Sequence, residues 1–80
     1  MRYVVVSKRM AGAWKDKQII EFWEGERGCW TTVSLGKVFN TEIGAGNKLY
    51  QVYGRTVPSH ISIITEHEAK LLVVGNAYND

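Results

Sequence analysis

The segment from Lys17 to Leu35 constrains the fold of this chain more than any other. Two runs rich in β-branched and aromatic residues, Lys17 to Glu24 and Cys29 to Leu35, flank Gly25-Glu26-Arg27-Gly28. A short glycine-bounded loop between such runs closes a β-hairpin. The four-residue loop sets Glu24 opposite Cys29 and Trp23 opposite Trp30. Side chains alternate faces along a strand, and opposed residues share a face. One face then carries Ile20, Phe22, Cys29, Thr31, Val33 and Leu35, and reads as core, with Phe22, Ile20 and Val33 at its centre. The other carries Ile19, Glu21, Trp23, Trp30, Thr32 and Ser34, an aromatic pair in polar company. A slip of one residue would exchange the two faces.

The flanking chain adds four further elements and leaves two of them with two readings. Arg2 to Arg9 is rich in β-branched residues and predicts a strand, followed by a loop at Met10 to Trp14 that turns at Gly12. Asn40 or Thr41 can cap a helix running to Tyr53, with Gly54 ending it. Gly44 and Gly46 each cost that helix about 1 kcal/mol relative to alanine, which keeps open a glycine-rich loop followed by a strand at Lys48 to Tyr53. Those glycines also suit a close passage over the sheet. His60 to Ile64 predicts a strand opening after Pro58. Thr65-Glu66-His67-Glu68 has the form of a capping box, so a helix follows and stops at Gly75, with 76–80 frayed. Leu71 to Val74 can alternatively pair as a strand with His60 to Ile64.

Eighty residues make a single domain, 1–80. So small a domain buries only about 60–70% of the surface its unfolded chain exposes, so it needs an efficient core or area from a partner. Three tryptophans, four tyrosines and two phenylalanines make such a core available. The expected class is α+β: an antiparallel sheet of four strands with two helices, in the order β-β-β-α-β-α. No apolar run approaches the roughly 18–20 residues that cross a bilayer, and the N-terminal run is too short for a signal-peptide core. Cys29 is the only cysteine, as in proteins of a reducing compartment. The expected location is therefore cytoplasmic, without membrane contact.

Motifs for chemistry are absent or incomplete. Gly44-Ala45-Gly46 lacks the third glycine of a dinucleotide fingerprint, and Gly46-Asn47-Lys48 lacks the ending of a phosphate loop. Cys29 falls on the predicted core face, where a thiol is inert rather than paired with His60 or His67 as a nucleophile. Glu66-His67-Glu68 has metal-ligand types, but adjacent residues on a helix diverge. No enzyme, cofactor or metal is expected.

Two surfaces remain as candidate sites. The tryptophans, Trp14 in a loop and Trp23 with Trp30 on the non-core face beside Glu21 and Thr32, read as a contact surface for a protein partner or a homodimer. Two short helices can cover only one side of the sheet, and the Phe22 side has the stronger claim, which leaves the tryptophan side partly exposed. The second surface is electrostatic. Residues 1–17 hold Arg2, Lys8, Arg9, Lys15 and Lys17 against Asp16 alone, within a net charge of +2 for the chain. With stacking from Trp14, Trp23 or Tyr3, these cations are the alternative: a weak, non-specific nucleic-acid surface.

The opening strand at Tyr3-Val4-Val5, the Trp30-Thr31 strand and Phe39-Asn40-Thr41-Glu42 entering a helix together resemble the small accessory proteins of tailed bacteriophages. Gly44 and Gly46 depart from the usual helix of that class. The resemblance implies a non-enzymatic protein that binds and inhibits a host protein, for example in transcription or anti-phage defence. That class has no shared site, so the resemblance assigns no residue a role.

Overall fold

The computed structural model describes residues 1–14 and 17–78. Its elements are β1 (Tyr3–Ala11), β2 (Lys17–Trp23), β3 (Trp30–Thr31), α1 (Glu42–Tyr53), β4 (Ile61–Thr65) and α2 (Glu66–Tyr78). They form an α+β fold in the expected order, with one antiparallel sheet of strand order β3-β2-β1-β4. The hairpin register is the one its loop dictates. Trp23 pairs with Trp30 and Phe22 with Thr31, and the Glu24 N–H donates to the Cys29 carbonyl at 2.9 Å.

The sheet is buried on both faces, and here the fold departs from expectation. α2 packs through Ala69 and Leu72 on the face of Val4, Val6, Ile20 and Phe22. α1 packs through Ala45 and Leu49 on the opposite face, over Val5 and Trp23. The helices therefore cover one side each rather than sharing the Phe22 side. The physical reason lies in β1: Val4, Val5 and Val6 are consecutive and all fully buried. Consecutive strand residues point to opposite faces, so such a run needs cover on both.

The third strand is far shorter than Cys29 to Leu35. Thr31 Oγ1 accepts the Val33 N–H at 3.2 Å, and Ser34 Oγ accepts the Gly36 N–H at 3.2 Å. Such local bonds compete with a sheet ladder. Val33, expected in the core, is consequently 91% exposed, while Leu35 folds back against the Phe22 cluster from outside any strand. Gly36 is required at the return: its φ is +68°, and a Cβ there would collide with the Trp23 carbonyl oxygen. The Lys37 N–H donates to that same carbonyl at 2.8 Å. Phe39 then exchanges two backbone bonds of 2.8 Å with Tyr3, taking the place beside β1 that β2 has vacated.

Both helices start where their caps direct. Thr41 Oγ1 accepts the Gly44 N–H at 2.9 Å, and the Gly54 N–H closes α1 onto the Tyr50 carbonyl at 2.7 Å, with Gly54 at φ +65°. A Cβ on Gly46 would meet Ile63 at an ordinary 3.8 Å, so close passage over the sheet does not require that glycine. At α2, Thr65 Oγ1 accepts the Glu68 N–H at 3.1 Å and donates to the Glu68 carboxylate at 3.3 Å. That helix replaces the alternative strand at Leu71 to Val74 and continues through Gly75 to Tyr78. A single helical glycine costs about 1 kcal/mol, too little to stop a helix by itself.

Candidate functional site: a basic arm and the cleft at its base

β1 and β2 outrun their neighbours. They pair from Val6–Phe22 to Ala11–Lys17, whereas β4 stops at Ile61 opposite Ser7 and β3 reaches only Phe22 and Trp23. Lys8 to Ala11 and Lys17 to Ile20 therefore project as a two-stranded arm. A free two-stranded ribbon is marginal in water. This one is rooted in the core through Val6, Ile20 and Phe22, and Arg9 Nη2 bridges to Glu21 Oε1 across the strands at 2.8 Å. The chain turns at Gly12, φ +94°, and Trp14 sits beyond it at 88% exposure.

The expected contact residues separate. Trp14 is at the arm's end, and Thr32 is exposed on the loop after β3. Trp23 is 0% exposed, which removes it from any surface. Its indole N–H donates to the Glu26 carbonyl at 2.7 Å, and its ring lies 6.3 Å from Trp30, 6.4 Å from Phe39 and 6.1 Å from Tyr53. The tryptophan face is thus the second core under α1, and a dimer contact through a Trp23–Trp30 pair is ruled out by that burial. The two-sided cover demanded by Val4 to Val6 is the cause.

The cations separate as well. Arg2 lies at the opposite end of β1 from the arm, about 20 Å from Lys8 at roughly 3.3 Å per residue. It is bound to Glu66 at 2.8 Å, with Lys70 at 3.6 Å from the same carboxylate. Desolvation works to raise the Glu66 carboxyl, but the hydrogen bond and charge of Arg2, reinforced by Lys70, outweigh it and hold the group below its ordinary value. Arg9 is held by Glu21, while Lys8 and Lys17 are exposed along the arm. Lys15 lies outside the described residues.

At the arm's base, on the α1 side, an open cleft is lined by Ser7, Arg9, Glu21, Trp30, Tyr53 and His60. α1 ends at Tyr53, and its cluster packs over Val5, Trp23, Ile61 and Ile63 but leaves Arg9 and Glu21 uncovered. Trp30 and Glu21, expected on a shared face, meet there with Arg9. Ser7, Tyr53 and His60 were not expected as members. The signal for Ser7 was available: a polar residue directly after Val4 to Val6 extends a buried strand. Cys29 is half-buried at the hairpin end, with its thiol 4.0 Å from the Glu26 carboxylate rather than among apolar side chains. Among the described residues, no group of histidine, cysteine and carboxylate side chains is arranged to hold a metal ion. No described helix is long and apolar enough to cross a membrane. No family model matches the chain, and no curated protein or solved structure gives a significant match.

Proposed function

We propose that the protein is a non-enzymatic binding module that engages a protein partner through its arm. The observation that carries this reading is Trp14, held 88% exposed beyond the turn of a ribbon that extends past both neighbouring strands. A large exposed indole on a rooted, projecting element has the properties of an interface anchor. Lys17 at the arm's outer end and Lys8 at its base are both exposed and favour an acidic rim on the partner. The resemblance to phage accessory proteins supplies a class of partner, a host protein whose surface is occupied and thereby inhibited. Immobilised wild-type and Trp14→Ala proteins exposed to the same host lysate test the reading. The variant should melt with the parent and lose the captured partner, with binding weakened by more than about 2 kcal/mol. Equal capture by both proteins would overturn it.

A second reading, nucleic-acid binding, has the arm's exposed Lys8 and Lys17 in its favour. Two neutralised phosphates give a slope of log K on log salt of only about −2. Binding that persists unchanged at physiological salt speaks for the protein partner instead.

A further inference from the structure

The two edges of the sheet are treated differently. At one, β3 has two residues and the chain bends away at once. At the other, β4 presents Ile61-Ser62-Ile63-Ile64-Thr65 with no charge, proline or bulge to blunt it. Unblunted edges of this kind pair with another strand.

The backbone groups available at that edge can be assigned. The Lys8 N–H donates to the His60 carbonyl at 3.0 Å, and the Glu66 N–H donates to the Arg2 carbonyl at 2.8 Å. Even-numbered residues of β4 therefore direct their backbone groups to β1, and Ile61, Ile63 and Thr65 direct theirs outward. Two of those outward groups are already engaged. The Ile61 N–H donates to the Pro58 carbonyl at 3.1 Å, and the carbonyl of Thr65, as a helix cap, accepts the first bond of α2. What remains outward is the Ile61 carbonyl, both groups of Ile63 and the Thr65 N–H.

We infer that β4 pairs antiparallel with β4 of a second copy of this chain, about a two-fold axis at Ile63. In that register Ile63 exchanges both its groups with Ile63 of the second copy, and each Thr65 N–H meets an Ile61 carbonyl. Every remaining donor finds an acceptor. The one ladder bond that is missing, Ile61 N–H to Thr65 carbonyl, is the one whose two groups are already used. A register centred on Ser62 would leave both Thr65 N–H groups unpaired. The donor set is thus self-complementary, as a two-fold interface requires.

Charge agrees with the same register. It places His60 of each copy opposite Glu66 of the other, so the acidic first turn of α2 meets an imidazole that can donate to it. A five-residue pairing alone falls short of the roughly 1,200–2,000 Å² that stable interfaces bury. An open groove beside the edge, lined by Met1, Tyr3, Ile43 and Ile63, supplies further apolar area, with Met1 87% and Ile43 76% exposed.

Sedimentation in reducing buffer, across a range of concentrations, measures the association without interference from Cys29. Wild-type protein should pass from monomer to dimer. Ser62→Lys, a change at an exposed position, should stay monomeric with an unchanged melting temperature. By NMR hydrogen exchange, the Ile63 and Thr65 amides should slow as the wild-type dimer forms, while the Ile61 amide does not respond. Trp14→Ala should dimerise like the parent, which separates this proposal from the arm's role. A wild-type protein monomeric throughout would overturn it, as would a dimer whose formation leaves the Ile63 and Thr65 amides unprotected. These wild-type measurements decide the matter even if Ser62→Lys fails to fold.

Discussion

Trp23 joins the hairpin loop to the α1 face: its ring stacks within the aromatic cluster and its N–H holds the Glu26 carbonyl. Trp23→Ala is expected to cost about 3–5 kcal/mol, a large part of the stability of so small a domain. Phe22→Ala should cost the same order on the opposite face, whereas Val33→Ala should stay within about 0.5 kcal/mol because Val33 lies almost wholly in solvent. Urea denaturation of the three variants checks the ranking. These residues also show what was legible. Alternation alone put Phe22 and Ile20 together and Trp23 beside Trp30. It failed at Val33, because the bonds from Thr31 and Ser34 that end β3 depend on hydroxyl groups making local turns, which a strand pattern does not reveal.

At the scale of elements, the caps were the clearest signals: Thr41, Gly54 and Thr65 each act where the sequence places them. Cap chemistry is local, so the sequence carries it whole. The pairing of Arg2 with Glu66 is not local and left no trace in the sequence. It ties the start of β1 to the first turn of α2. A carboxylate whose folded pKa is depressed contributes stability above its unfolded pKa and loses it as pH falls through the folded one. The wild-type melting temperature should therefore fall on acidification through and below the ordinary carboxylate range. Glu66→Gln should lower stability at neutral pH and reduce that acid dependence. A parallel pH profile for the two proteins would show that other carboxylates carry it.

For the whole molecule, the sequence yielded the class and element order but not the disposition of the helices. Counting helices against faces suggested that the tryptophan side went uncovered, whereas the run of buried valines in β1 demanded a layer on each side. The cleft was illegible for a related reason: it depends on where α1 ends over the sheet, a tertiary length that no single segment encodes. Trp14 was legible because a loop tryptophan needs no register to be placed.

The central position of β1 also has a temporal consequence. Its pairing with β2 joins residues close in sequence, while its pairing with β4 runs from Tyr3–Thr65 to Ser7–Ile61, across most of the chain. Contacts between distant residues carry the larger loop-closure penalty and tend to form late. The β1–β2 hairpin should thus condense first and serve as a template, with β4 and α2 docking onto its bare edge afterwards. In stopped-flow experiments, Ile20→Val should chiefly slow refolding and Ile64→Val should chiefly speed unfolding. Until β4 arrives, the valine strand has an unpaired side, so the time spent waiting for that strand sets how long nascent molecules can pair with one another instead.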